Sequence, residues 1–237
     1  MGLVHHHVLH EHRSVSGGLA RAAVFGVSDG LVSNISLILG VAGGGVSGSV
    51  VRLAGLAGLI AGAVSMAAGE YVSVSAQNEL IQRELDVERR EMDKHPEAET
   101  AELARIYEGK GINAGMARAV ARDIMKDKDR ALLVHAREEL GIDPEGMASP
   151  WLTALWSFLA FAIGAVGPLV PWFWFSGKGA KLTSLLIGVV AATIVGAVIG
   201  RFAERSKLKA AARQVGILLV ACGATYLIGR ALHVAAN

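Results

Sequence analysis

The sequence of 237 residues holds one cysteine, five prolines and few aromatics, and only 19% of its residues are charged. Each scarcity excludes something. A lone cysteine, Cys222, permits no intrachain disulfide and no cysteine-based metal centre; within an apolar run it reads as a small buried hydrophobe. Low charge beside 52% apolar residues excludes a disordered chain, a nucleic-acid-binding module and a disulfide-rich secreted scaffold. Strand-like alternation of any length is also missing, so the fold class is all-α.

The charge that is present is unevenly placed. Residues 77–147 carry 17 acidic and 12 basic side chains, whereas the rest of the chain carries 4 and 11. This is the pattern of an acidic insert set into a membrane protein. A bilayer core about 30 Å thick needs about 20 apolar helical residues. Trp151–Phe175 and Leu182–Gly200 contain no charge at all, and Val215–Gly229 is extended by apolar residues on both sides. Leu19–Val41, with Arg21 near its start and Asp29 within it, and the stretch from about Ser49 to Gly69 complete five spans. Residues 1–18 are polar and His-rich with no apolar core, so no signal peptide is expected, and His5–His7 are assigned no site.

The division that follows is a cytoplasmic N-terminal segment (1–18), two transmembrane helices (19–76), a cytoplasmic helical metal-binding insert (77–147) and three further transmembrane helices (148–237). Orientation rests on the loop with Arg201, Arg205, Lys207, Lys209 and Arg213, which belongs in the cytoplasm. Lys178 and Lys181 dissent on the outer side. Without a targeting segment, and with compact linkers, a bacterial inner (plasma) membrane is expected.

Within the insert, Ser75–Glu91 lacks Gly and Pro and continues the second span as helix. Pro96 starts the next helix, which ends near Gly109 or Gly111. Asn113 caps one through Met125 and Asp127 one running to Gly141. Leu103, Ile106, Tyr107, Val120, Ile124, Leu132, Leu133, Ala136 and Leu140 are the expected insert core.

Candidate ligands fall in pairs at helical spacing. Glu88 and Glu91, Glu99 and Glu102, and His135 and Glu139 each share a helix face. Together they could surround a cation with carboxylate oxygens and one imidazole. The plainer reading is a solvated acidic face ion-paired to Arg89, Arg105 or Arg137. Asp29 is different, because a carboxylate within a span is costly unless it meets protein, water or a cation. Its plainer reading is a pair with Arg21 or a cap beside Gly26 and Gly30. Met66 and Glu70 stand one turn apart on the second span, where the thioether is either packing or a soft ligand. Gly58-x-x-x-Gly62 suits close helix approach and is the expected contact between two subunits. Pro168 and Pro171 should break the third span near its outer end.

Phe25-Gly-Val-Ser-Asp29-Gly30, Gly62-Ala-Val-Ser-Met66-Ala-Ala-Gly-Glu70-Tyr71 and Ser75-Ala-Gln77-Asn-Glu79 resemble the vacuolar iron transporter family. The insert and the spans around Pro168-Leu-Val-Pro171 extend the similarity from about residue 12 onward. The resemblance implies a homodimer in the lipid bilayer that exports Fe²⁺, and often Mn²⁺, from the cytoplasm against inward-moving protons. It also implies a pathway through Asp29 and Met66, and metal ligation by Glu88, Glu91, Glu99, Glu102 and Glu139. His135 stands where eukaryotic members place a Met. Ala22 and Gly58 stand where some members carry further acids. No prosthetic group is implied; Fe²⁺, Mn²⁺, Zn²⁺ or Co²⁺ would be substrate and bound ion. The competing expectations are a membrane di-iron carboxylate oxidase and a non-transporting metal sensor scaffold. No histidine has the Glu three residues before it that such oxidase bundles use.

Overall fold

The computed structural model describes residues 18–236, with side chains from 22 to 232. Every extended element among them is helical. The helices are α1 (Gly18–Gly43), α2 (Gly48–Lys94), α3 (Pro96–Gly109), α4 (Ala114–Ile124), α5 (Lys128–Glu138), α6 (Pro150–Leu169), α7 (Gly177–Phe202) and α8 (Lys207–Ala236). Five of them, α1, α2, α6, α7 and α8, are long and apolar enough to cross a membrane. At 1.5 Å per residue the 47 residues of α2 reach about 70 Å, more than twice a bilayer core. Its apolar part is the first half. The residue before a proline is pushed out of helical conformation, which ends α2 at Lys94 ahead of His95–Pro96.

The chain forms two compact units, residues 1–67 with 155–237, and residues 68–154. In the first, Leu31, Ile35 and Leu39 of α1 pack with Ala192 of α7 and with Leu218 and Cys222 of α8. Cys222 is buried there, a hydrophobe in effect. Glycine permits the closest approaches: a Cβ at Gly30 would strike the Phe161 carbonyl, and one at Gly229 the Gly40 carbonyl. Pro168, at the end of α6, and Pro171, just beyond it, stand where the helix gives way to a 3-10 turn over Val170–Phe173. Ser184 of α7 donates to the Pro168 carbonyl there, at 2.7 Å.

Gly58 and Gly62 are occupied within the chain. Leu37 and Asn34 of α1 sit against Gly58, and the Phe161 ring covers Gly62. The space beside these two glycines, expected to receive a second subunit, is thus filled from within the chain. The uncovered face of α2 is instead the one bearing Leu53, Ala57, Ile60, Ala61 and Val64. Spacing alone reveals that two glycines share a face, but not which neighbour fills it.

In the second unit the caps form as the sequence indicates. The Asn113 side chain accepts from the Gly115 amide, and that of Asp127 from the amides of Asp129 and Arg130. Its core joins Leu85 and Met92 of α2 to Ala131, Leu132 and Ala136, and Leu103 and Ala104 to Ala121. Val120 is exposed, against expectation. Ala117 and Ala121 take the inner face of α4, where small side chains let it lie close to α3.

Candidate metal centre and membrane carboxylate

Three helices of the second unit place their acids by ordinary helical periodicity. Leu85, Glu88 and Met92 recur at i, i+3 and i+7, so Glu88 lies in the middle of a buried apolar stripe. Glu99 shares a face with Leu103, and His135 sits among Ala131, Leu132 and Ala136. The same stripes that fold the unit thus drive two carboxylates and an imidazole inward.

They converge. Glu88, Glu99, His135 and Glu139 each offer a ligand atom, and all four atoms lie within 4.8 Å of one another. His135 Nδ1 is 3.0 Å from Glu88 Oε1, 3.6 Å from Glu139 Oε2 and 3.7 Å from Glu99 Oε2. The imidazole is fully buried, so it is no part of a solvated face. Neither of its nitrogens, nor Glu88 Oε1, makes a hydrogen bond of acceptable angle.

Burial is the largest cause that pushes the Glu88 carboxyl up to about 7, followed by the neighbouring charges of Glu139 and Glu99. Burial also raises Glu99, opposed by the His135 imidazole and reinforced by Glu102 and Glu139. Two of the three arginines that might have neutralised these acids are engaged elsewhere. Arg89 faces Asp129 at 3.9 Å, and Arg137 pairs with Asp143 at 2.9 Å and with Glu145. Lys110 takes Glu138, the neighbour of Glu139. Buried like charges with no lysine or arginine beside them are costly. A divalent cation among three carboxylates and a nitrogen removes that cost, and the oxygen-rich, single-imidazole donor set suits Mn²⁺, Fe²⁺, Co²⁺ or Zn²⁺.

Two expected ligands stay outside the group of four. Glu91 lies 3.9 Å from Nε2 of His95, the residue that follows the end of α2. Glu102 is near enough to raise Glu88 and Glu99 electrostatically, yet contributes no ligand atom to the group.

In the first unit, Asp29 is half-buried and its Oδ1 accepts from Ser33 Oγ at 2.7 Å, one turn along α1. The alternative pairing with Arg21 concerns a side chain outside the described residues, as do His5–His7. Met66 is half-buried beside Leu59, Ala63, Phe161 and Ala165. Glu70, also half-buried, lies in the second unit. Sequence reasoning missed Asn34. It is buried, donates from Nδ2 to the Ala165 carbonyl at 2.8 Å, and leaves Oδ1 without a partner. The available signal was an amide side chain inside an apolar span.

The VIT family profile matches residues 20–230, nearly all of the described chain. The chain belongs to the VIT family. Members are transporters rather than enzymes, which removes the di-iron oxidase alternative. Among relatives, the vacuolar iron transporter of Acanthamoeba castellanii is 38% identical over 191 residues, covering 78% of this chain and 69% of the relative. Vacuolar iron transporter 1 of Oryza sativa subsp. japonica is 31% identical over 230 residues, covering 97% and 90%. That of Arabidopsis thaliana is 29% identical over 232 residues, covering 98% and 92%. This VIT-family chain is accordingly a multi-pass membrane protein, and the similarity spans both the membrane helices and the segment that holds the four-residue cluster.

Proposed function

We propose that this protein exports Fe²⁺, and also Mn²⁺, from the cytoplasm in exchange for protons. The observation that carries the reading is the buried imidazole of His135 facing three carboxylates that no lysine or arginine pairs with among the described residues, in a chain whose relatives are named for iron transport. The cluster collects cytoplasmic metal, and Glu102 strengthens the local negative field. The positive charge of the Arg201–Arg213 loop supports a cytoplasmic side for the insert and the N-terminal segment.

Cations then pass Glu70 and Met66 to reach Asp29. A carboxylate there neutralises part of the metal's charge while it is within the membrane. When the metal leaves, a proton from the outer side takes its place, which lowers the cost of an empty acid in a low-dielectric span. The Ser33 hydroxyl holds the Asp29 carboxylate in one orientation. Two subunits form the working unit, meeting along the uncovered face of α2.

Purified protein in proteoliposomes tests this reading. Uptake of Fe²⁺ and Mn²⁺ should rise several-fold when an opposing pH gradient is imposed. Uptake indifferent to the gradient removes the proton coupling. Metal binding without any uptake leaves the sensor scaffold as the function.

A further inference from the structure

Lys178 and Lys181 run against the charge asymmetry of the loops, and the transport reading gives them no task. They open α7 at the end opposite its Arg201 terminus. Among the described residues neither lies within ion-pair distance of a carboxylate. Outside 70–147 the sequence holds no acid between Asp29 and Glu204. Instead, Lys181 Nζ stands 5.5 Å from the centre of the Tyr226 ring, a cation–π contact that holds the ammonium beside α8.

Beneath these cations is an open crevice of about 470 Å³ between α1, α7 and α8. Its walls are apolar, built from Leu39, Leu185, Leu219 and their neighbours, and Lys178, Lys181 and Tyr226 also line it. Trp174 and Phe175, exposed just ahead of α7, form the aromatic edge expected at a membrane–water boundary and put the lysines at headgroup depth. Ser176 makes no side-chain cap to α7, so the first amides of that helix add to the positive field without a protein acceptor.

An apolar slot of acyl-chain size crowned by two unpaired ammonium groups has one chemical complement. We propose that this crevice binds a single anionic phospholipid, its acyl chain lying along Leu39, Leu185 and Leu219 and its phosphate held by Lys178 and Lys181. Free phosphate would satisfy the cations but leave the apolar slot unused. A zwitterionic lipid would fill the slot but bring its own cation to the lysines.

The test uses the full-length protein in neutral detergent. Binding of phosphatidylglycerol, phosphatidylcholine and inorganic phosphate is followed by native mass spectrometry. One phosphatidylglycerol should be retained at concentrations where phosphatidylcholine is lost. Replacing Lys178→Gln and Lys181→Gln together should weaken phosphatidylglycerol by about five-fold per lysine and erase the preference. Gly223 lines the crevice, and a Cβ there meets no atom within 4 Å, so Gly223→Phe should block the slot and abolish retention with both lysines intact. Leu219→Trp obstructs the same wall and replaces that variant if it does not fold. An unchanged preference in the double variant overturns the proposal. So does lipid retention in the blocked variant, or displacement of phosphatidylglycerol by equimolar inorganic phosphate.

Discussion

Glu88 Oε1 lies 3.0 Å from His135 Nδ1, yet the contact lacks the angle of a hydrogen bond, and both atoms are buried. Neither atom has a hydrogen-bond partner among the described residues. Two further carboxylates approach the same nitrogen within 3.7 Å. Such an arrangement gains most from a cation placed among the four groups.

Metal loading should depend on pH through Glu88. With its carboxyl pushed up to about 7, a proton and a metal compete for it near neutrality. Affinity for Mn²⁺ should fall as pH drops from about 7.5 to about 6, approaching tenfold per pH unit below the titration. Calorimetric titration of the full-length protein measures this. Glu88→Gln should bind more weakly and show a flatter profile.

Stability without metal should move the other way. Glu88 holds its proton more tightly folded, at about 7, than its ordinary 4.5, so the folded state binds more protons between those values. The metal-free fold therefore gains stability at low pH and loses it as pH rises through about 7. Thermal unfolding in chelator should show a falling midpoint from pH 5 to 8. Saturating Mn²⁺ should reverse the trend, because ligand bound only to the folded state stabilises it.

Single substitutions should separate ligands from bystanders. His135→Ala should cost at least about tenfold in metal affinity, since even outer partners of metal ligands cost that much. Glu91→Ala should leave affinity within about twofold, because Glu91 sits by His95 and outside the group. Equal losses in the two variants would remove the distinction.

Asp29→Asn keeps the size of the side chain and its contact with Ser33 but removes the charge and the proton site. Transport in proteoliposomes should fall to background while Mn²⁺ binding at the cluster stays unchanged. Wild-type uptake would take Asp29 out of the mechanism.

Subunit contact should follow exposure rather than the glycine pair. A cysteine at Ala61, on the uncovered face of α2, should crosslink between subunits in membranes; a cysteine at Gly62, beneath the Phe161 ring, should not. Stronger crosslinking at Gly62 would restore the Gly58–Gly62 face as the contact.

The sequence by itself determined the five spans, the run of α2 beyond the apolar stretch and the capped insert helices. These follow from local quantities: apolar length against bilayer thickness, the restriction Pro96 puts on His95, and the side-chain acceptors of Asn113 and Asp127. Spacing also paired the acids, since helical period alone decides which residues share a face. Only the tertiary structure decided which pairs meet. Glu88 and Glu91 are equivalent by spacing, but Leu85 and Met92 bury the face of Glu88 and leave Glu91 at its edge. Likewise Phe161, a hundred residues away in the chain, fills the groove at Gly62. Which neighbour occupies a face depends on how helices distant in sequence pack, and a periodicity carries no record of that.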